Sequence, residues 1–456
     1  MNTHLADRAD EAWRAGDTVA AIEAADQVLA TGADPDCRAA SVAAAAAAAD
    51  GALFDAAARW RDIAATLTGV PAALAGGRAA LAATLVGDVD DAATDLETAR
   101  QAVIGAAPRG LTVLLAGAAA AQAAVTGDLA TAARTLTGLA VASVPADSLA
   151  VERWDDLAMA VLAAAERDDT ARAMFTAQQP RRLLLTAWLD LRAGRLADAR
   201  AGVVAASASP VMRRDAVLAA AVSVGLARRA GDADALRATW HRVAPVVAGA
   251  DVEILLLDAW GELSMAAGPI DREMIVAGMT AAVARAGNPV WATEILAWWA
   301  VQRAPGAEEA AAAATLLPDT PRGRAGRVWA AVLAGDVDPA AVRTAADTLA
   351  DRPWEAATLC GLAAARLTEP GAVKDLLGAG RALRATFTTE DAPAGGLSKR
   401  ERAVGELLLD GLTHKEIGAK LYISPKTVEQ HVARIRQKLP AANRAELIAV
   451  LRGALA

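Results

Sequence analysis

Cysteine, histidine, lysine and tyrosine are all scarce in this sequence. The two cysteines, Cys37 and Cys360, lie more than 300 residues apart, which excludes a disulfide framework and makes a reducing cytosol the expected compartment. The four histidines, His4, His241, His414 and His431, form no H-x-x-x-H pair and no Cys/His cluster, so no metal is expected. No Gly-Lys dipeptide occurs anywhere, so the G-x-x-x-x-G-K-[ST] phosphate loop is absent and no nucleotide cofactor is expected. Acids are numerous but scattered, and their pattern does not point to an enzyme.

Long apolar runs are also few. The opening stretch "MNTHLADRADEAWRAGD" carries acids and no apolar segment, which argues against a secretory leader. The best membrane candidate, "GLTVLLAGAAAAQAAVTG" at 110–127, is dominated by Ala and Gly and includes Gln and two Thr, so a buried helix is the expected outcome. A cytoplasmic protein with no membrane partner follows.

What is present divides the 456 residues unevenly. The chain carries a formal charge of −8, yet residues 397–456 hold 11 Lys plus Arg against 6 Asp plus Glu. The remaining residues are therefore strongly acidic, and the basic charge is concentrated in a tail. Five of the six lysines, Lys399, Lys415, Lys420, Lys426 and Lys438, lie in that tail, while all eleven tryptophans precede it. Between the two regions "TTEDAPAGG" reads as a linker, placing a body at 1–387, a linker at 388–396 and a tail domain at 397–456.

The body is rich in Ala, Leu and Arg without strand-like alternation, which predicts an all-α fold. A turn element recurs at Gly16, Gly87, Gly127, Gly194, Gly231 and Gly335, with looser relatives at Gly51 and Gly268. Several successive spacings fall between 35 and 40 residues, the period of stacked helix hairpins. Glycine ends one helix through a left-handed cap, Asp starts the next, and small residues let the two approach. Stretches such as "EAWRAGDTVAAIEAADQVLATGADP" resemble tetratricopeptide repeats, although most copies lack the aromatic signature. The resemblance implies a superhelical array with a concave surface for an unidentified ligand or protein. Trp188, Trp240, Trp260, Trp291, Trp298 and Trp299 are candidates for that surface, with core packing as the commoner fate of such residues.

The tail has a different grammar. Ser398 and Glu401 form a capping box for a helix that stops at Gly411; Thr413 and Glu416 cap a second helix with Ile417 and Leu421 inward. Ser424 caps a third, with Pro425 at its first position. Two short helices joined by "LYIS" make a helix-turn-helix, whose second member enters the major groove of double-stranded DNA. That helix buries Val428, Val432, Ile435 and Leu439 and leaves Lys426, Glu429, Gln430, Ala433, Arg436 and Gln437 for bases and phosphates.

The motifs "LSKRE", "GLTHKEIGAKLYISPKTVEQHV" and the late "NRAEL" resemble the LuxR-type (GerE-like) helix-turn-helix domain of bacterial transcription regulators. The resemblance implies a four-helix unit with its motif at 414–433. It assigns backbone contacts to Lys415, Ser424, Lys426, Thr427, Arg434 and Lys438, and base-facing positions to Glu429, Gln430 and Ala433. A last helix from Asn443 would mediate a homodimer on DNA through Leu447, Val450, Leu451 and Ala454. RNA polymerase is a possible further partner, and activation is more expected than repression. Glu429 stands where many relatives have Lys, and Pro440 where they have Gly. The rival expectation is a helical-repeat scaffold whose tail serves dimerisation or nonspecific DNA binding.

Overall fold

The computed structural model describes residues 2–32, 34–141, 149–174, 179–208, 211–231, 233–388, 399–421, 424–438 and 444–455. Every regular element among them is helical. The chain divides into two compact units, Met1–Arg384 and Ala385–Ala456. Helix Pro370–Thr388 runs to the start of the expected linker, whose remaining residues lie outside the described ones.

Unit one is an array of helix hairpins. Asn2–Ala15 pairs with Thr18–Leu29, Arg38–Ala49 with Leu53–Thr66, Gly69–Leu85 with Val89–Gln101, and each hairpin packs on the next. Alanine makes this close packing feasible: in Arg38–Ala49 the whole run Ala43 to Ala49 is buried. Helix Arg109–Thr126 is long and apolar enough to cross a membrane, and half of it is buried in this unit, including Leu111, Ala118 and Val125.

The turn glycines behave as their spacing predicts at seven positions. Gly16, Gly51, Gly87, Gly127, Gly194, Gly231 and Gly335 all have positive φ, a region that only glycine enters cheaply. Asp17, Asp88 and Asp128 then accept backbone N–H bonds from Ala20, Asp91 and Thr131. At Gly335 the cap is Asp338, followed by Pro339 at the first helical position. Gly268 departs from the pattern: its φ is −63°, and it precedes Pro269 at a helix start instead of ending a helix. Gly287, at φ +75°, follows the second helix of that hairpin, Pro269–Arg285, and leads to the next one, with Asn288 in place of Asp after it.

The array winds on itself. Phe54 N–H donates to Asp251 Oδ2, 197 residues away, and Arg285 donates to the Val86 carbonyl, 199 residues away. A constant offset near 200 residues means that successive turns of a superhelical coil touch. Gly87 lies at this seam, where a Cβ would come within 2.4 Å of the Ala282 carbonyl oxygen. Glycine is required there for two separate reasons, its φ of +81° and the contact.

Groups of buried ion pairs also link distant segments of this unit. Asp258 accepts from Arg322 and Arg352 at 2.9 Å each and from the Trp299 indole N–H at 2.7 Å. Glu166 reaches the same two arginines at 3.4 and 3.5 Å. Nearby, Glu253 is held by Arg181 and Arg214 at 2.8 and 2.6 Å, with Glu152 sharing both. A third group joins Arg228 and Arg229 to Glu262, and Arg229 to Glu355 across 126 residues. These buried acids and arginines are thus paired with one another within the unit. The six candidate tryptophans belong to this core, each no more than 9% exposed.

Candidate nucleic-acid interface

Unit two contains helices Lys399–Leu409, His414–Leu421, Pro425–Lys438 and Arg444–Leu455. Their inward residues, Val404, Leu408, Ile417, Val428, Val432, Ile435, Leu447 and Leu451, form one small core. Gly411 closes the first helix at φ +82°. Ser398 lies outside the described residues, while its expected partner Glu401 is buried.

The caps of the two motif helices are well defined. Thr413 N–H donates to Glu416 Oε2 at 2.8 Å and Glu416 N–H donates back to Thr413 Oγ1 at 3.4 Å, a reciprocal capping box. These bonds to the ionised carboxylate hold the Glu416 carboxyl below its ordinary range. Ser424 Oγ accepts the Thr427 N–H at 3.0 Å, and the two hydroxyls share a 2.8 Å bond at the start of the second motif helix. Backbone N–H groups at such a start point outward and suit a phosphate oxygen.

Helix Pro425–Lys438 has two distinct faces. Val428, Val432 and Ile435 are buried, whereas Lys426, Glu429, Gln430, Ala433 and Arg436 are exposed. Residues 426, 429, 430 and 433 follow i, i+3, i+4, i+7 and so form one outward stripe. Within it Lys426 Nζ meets Glu429 Oε2 at 3.0 Å, both side chains largely in solvent. Glu429 therefore braces a neighbour in the unbound state, while its carboxylate remains on the surface where a cytosine amino group could reach it. Lys415 is exposed on the preceding helix.

The expected residues are not all alike in the fold. The side chains of Arg434, Gln437 and Lys438, and residues Leu439 and Pro440, lie outside the described set. Of the expected dimer seam, Leu447 and Leu451 are 2% and 0% exposed because they pack inside the domain's own core, and Val450 is half-buried. Ala454 lies outside the described side chains. His431 is partly buried beside the apolar face, with no hydrogen-bond partner for Nδ1 among the described residues.

Residues 396–451 match the profile of bacterial regulatory proteins, luxR family. The spore germination protein GerE of Bacillus subtilis is 46% identical over 55 residues, covering 12% of this chain and 74% of GerE. The chain belongs to the luxR family of bacterial regulatory proteins. The transcriptional regulatory protein UhpA of Escherichia coli is 51% identical over 51 residues, 11% of this chain and 26% of UhpA. The chain thus spans about a quarter of the length of that luxR-family relative. Solved structures of the APC/C hetero-tetramer Cut9-Hcn1 and of yeast Tom70 are each 12% identical, at TM-scores of 0.29 and 0.24. They cover 100% and 86% of this chain and 96% and 97% of their own.

Unit one also holds a convergence of titratable groups that no short motif in its sequence announces. Burial opposes ionisation of Glu253, but Arg181 and Arg214 outweigh it and hold its carboxyl at about 2. Asp258 is likewise buried and held well below the carboxylate range by Arg322, Arg352 and Arg192. Asp156 goes the other way, pushed up to about 6 by burial and Glu152 despite Arg182. The convergence leaves a trace in "VEILLLDAWGEL", where three acids interrupt an apolar run that has no solvent-facing stripe. A buried acid demands a buried cation, and arginine is abundant.

Proposed function

We propose that the chain is a sequence-specific DNA-binding transcription regulator, activating more often than repressing, in which body 1–387 responds to a ligand or protein and governs tail 397–456. The observation that carries this reading is the stripe Lys426, Glu429, Gln430 and Ala433, exposed on the second helix of a luxR-type helix-turn-helix. Lys415, Ser424, Lys426, Thr427, Arg434 and Lys438 take the phosphates, and Glu429, Gln430 and Ala433 face the base edges. The regulator works in the cytoplasm without catalysis of its own, as a homodimer on DNA with RNA polymerase as a further partner. The last helix, with Leu447, Val450, Leu451 and Ala454, carries the dimer contact, although Leu447 and Leu451 also serve the domain core.

A genome-wide binding map tests the proposal, combined with competition between an enriched site and random duplex. The expected preference is roughly 10³ or more, with a steep fall in affinity as salt rises. A map without an enriched motif would instead favour a helical scaffold with a nonspecific tail.

A further inference from the structure

A cleft lies in unit one at the seam where two turns of the coil meet. Its cavity volume is about 220 Å³, below the roughly 300–1,000 Å³ of sites for drug-sized ligands and so suited to a compact molecule. Its walls come from segments far apart in sequence. Trp240 is contributed by helix Ala233–Val247, Trp260 by helix Leu257–Ala266, and Asp271, Met274 and Gly278 by one face of helix Pro269–Arg285. Phe54, from the preceding turn of the coil, closes the seam.

The polar groups of the cleft differ in what they can still accept. Arg285 already donates to the Val86 carbonyl at 2.8 and 3.2 Å and lies over the Phe54 ring, 4.7 Å from its centroid. Asp251 accepts the Phe54 N–H at 3.0 Å. Asp271 accepts the Trp240 indole N–H at 3.0 Å through Oδ2, and no described residue hydrogen-bonds to its other oxygen. The lining holds two carboxylates, Asp251 and Asp271, against one engaged guanidinium, so the cleft favours a cation over an anion. Trp240 and Trp260 are 5% and 4% exposed, which fixes their rings as rigid walls and not as a surface for a peptide.

We infer that this cleft binds a small apolar amine, its ammonium group on Asp271 and its hydrocarbon body against Trp240, Trp260 and Met274. Ammonium groups are drawn both to carboxylates and to aromatic faces, and apolar groups to the remaining walls. The inference gives a ligand class to the responsive body proposed above and rests on that proposal only for its effect on DNA. Because Phe54 and Asp251 belong to different turns, an occupant bears directly on the seam they form.

Calorimetry on the full chain with three probes of one shape tests it: 2-phenylethylamine, 2-phenylethanol and phenylacetate. The amine is expected to bind saturably, about tenfold or more tighter than the acid, as a charge-assisted bond implies, with the alcohol between. Asp271→Asn should bring the amine to the level of the alcohol. Gly278→Leu should abolish all three, since even a Cβ there lies 2.9 Å from Val252 Cγ2, with folding verified by circular dichroism. No saturable binding by the amine, equal binding of amine and acid, or an unchanged amine affinity in Asp271→Asn would each overturn the inference. Operator affinity measured in parallel separates the two readings: amine binding without any change on DNA upholds the cleft and removes the sensing role. A different effector that shifts DNA affinity while no amine binds does the reverse.

Discussion

In the body, Arg181, Arg214, Arg322 and Arg352 are between 3% and 9% exposed and each meets two or more carboxylates, whereas in the tail Lys415, Lys420 and Lys426 stand in solvent. The same sign of charge serves two purposes, and the residue type follows the purpose. A guanidinium presents five donors in a planar fork, enough to satisfy several buried acids from one side chain. An ammonium is a compact, strongly hydrated charge on a flexible stem, suited to a phosphate that arrives from outside. The overall acidity of the chain therefore says little about its partner, because most of the body's inner charges are neutralised locally.

The contrast predicts its largest effect at Asp258. Asp258→Ala would leave Arg322, Arg352 and the Trp299 N–H without their shared acceptor, at a cost of roughly 3–5 kcal/mol. Urea unfolding followed by tryptophan fluorescence reads this directly, since every tryptophan lies in the body. Lys426→Ala should leave the same transition within about 0.5 kcal/mol. A cost below about 1 kcal/mol for Asp258→Ala would mean that the interior pairs behave like surface pairs.

Ile435→Ala reverses the comparison, being expected to cost roughly 2–5 kcal/mol in the tail alone. Operator binding should be lost while the tryptophan-detected transition stays in place. Movement of that transition would show that the two units do not unfold separately.

Acid sharpens the contrast further. The Glu253 carboxyl is held at about 2 in the folded body against 4.5 in its absence, so its stabilising contribution is complete above about pH 4.5 and is lost as pH falls towards 2. Asp258 and Glu262 are depressed in the same direction by their arginines. Melting temperatures recorded between pH 7 and pH 2 should fall most steeply in that window, and Glu253→Gln should flatten the fall.

The smallest effects concern the outward stripe. Lys426→Ala should weaken binding to all duplexes alike and reduce the salt slope by about 1, whereas Gln430→Ala should change which sequence is preferred. Uniform loss from both, measured on a panel of sites, would erase the division between phosphate and base contacts. Glu429→Lys on the same panel tells whether the acid reads a base or only braces Lys426.

Much of the tail was legible in the sequence because its signals are local. The Thr413–Glu416 box, the Ser424 cap, Pro425 and the stripe Val428, Val432, Ile435 each depend on residues within a few positions, and each is realised. The turn glycines were legible for the same reason, apart from Gly268, which lies between two helices but at φ −63°, capping the helix that Pro269 starts. What stayed hidden depends on how the coil winds. Nothing near Glu253 or Asp258 in sequence announces Arg181 or Arg352, and Leu447 and Leu451 look like an interface until helix Lys399–Leu409 covers them.

The Asp258 hub has a further consequence for how the body comes apart. Repeat arrays in which each hairpin touches only its neighbours unravel from an end, one unit at a time, and tolerate loss of terminal copies. Here a carboxylate in the middle of the chain is shared by arginines from helix Pro321–Leu333 and from the residue just before helix Pro353–Ala364, while Glu355 on that last helix ties back to Arg229. Removing the final hairpins would strip charge partners from the centre. The body should therefore unfold in one step, and truncation should cause collapse instead of gradual shortening.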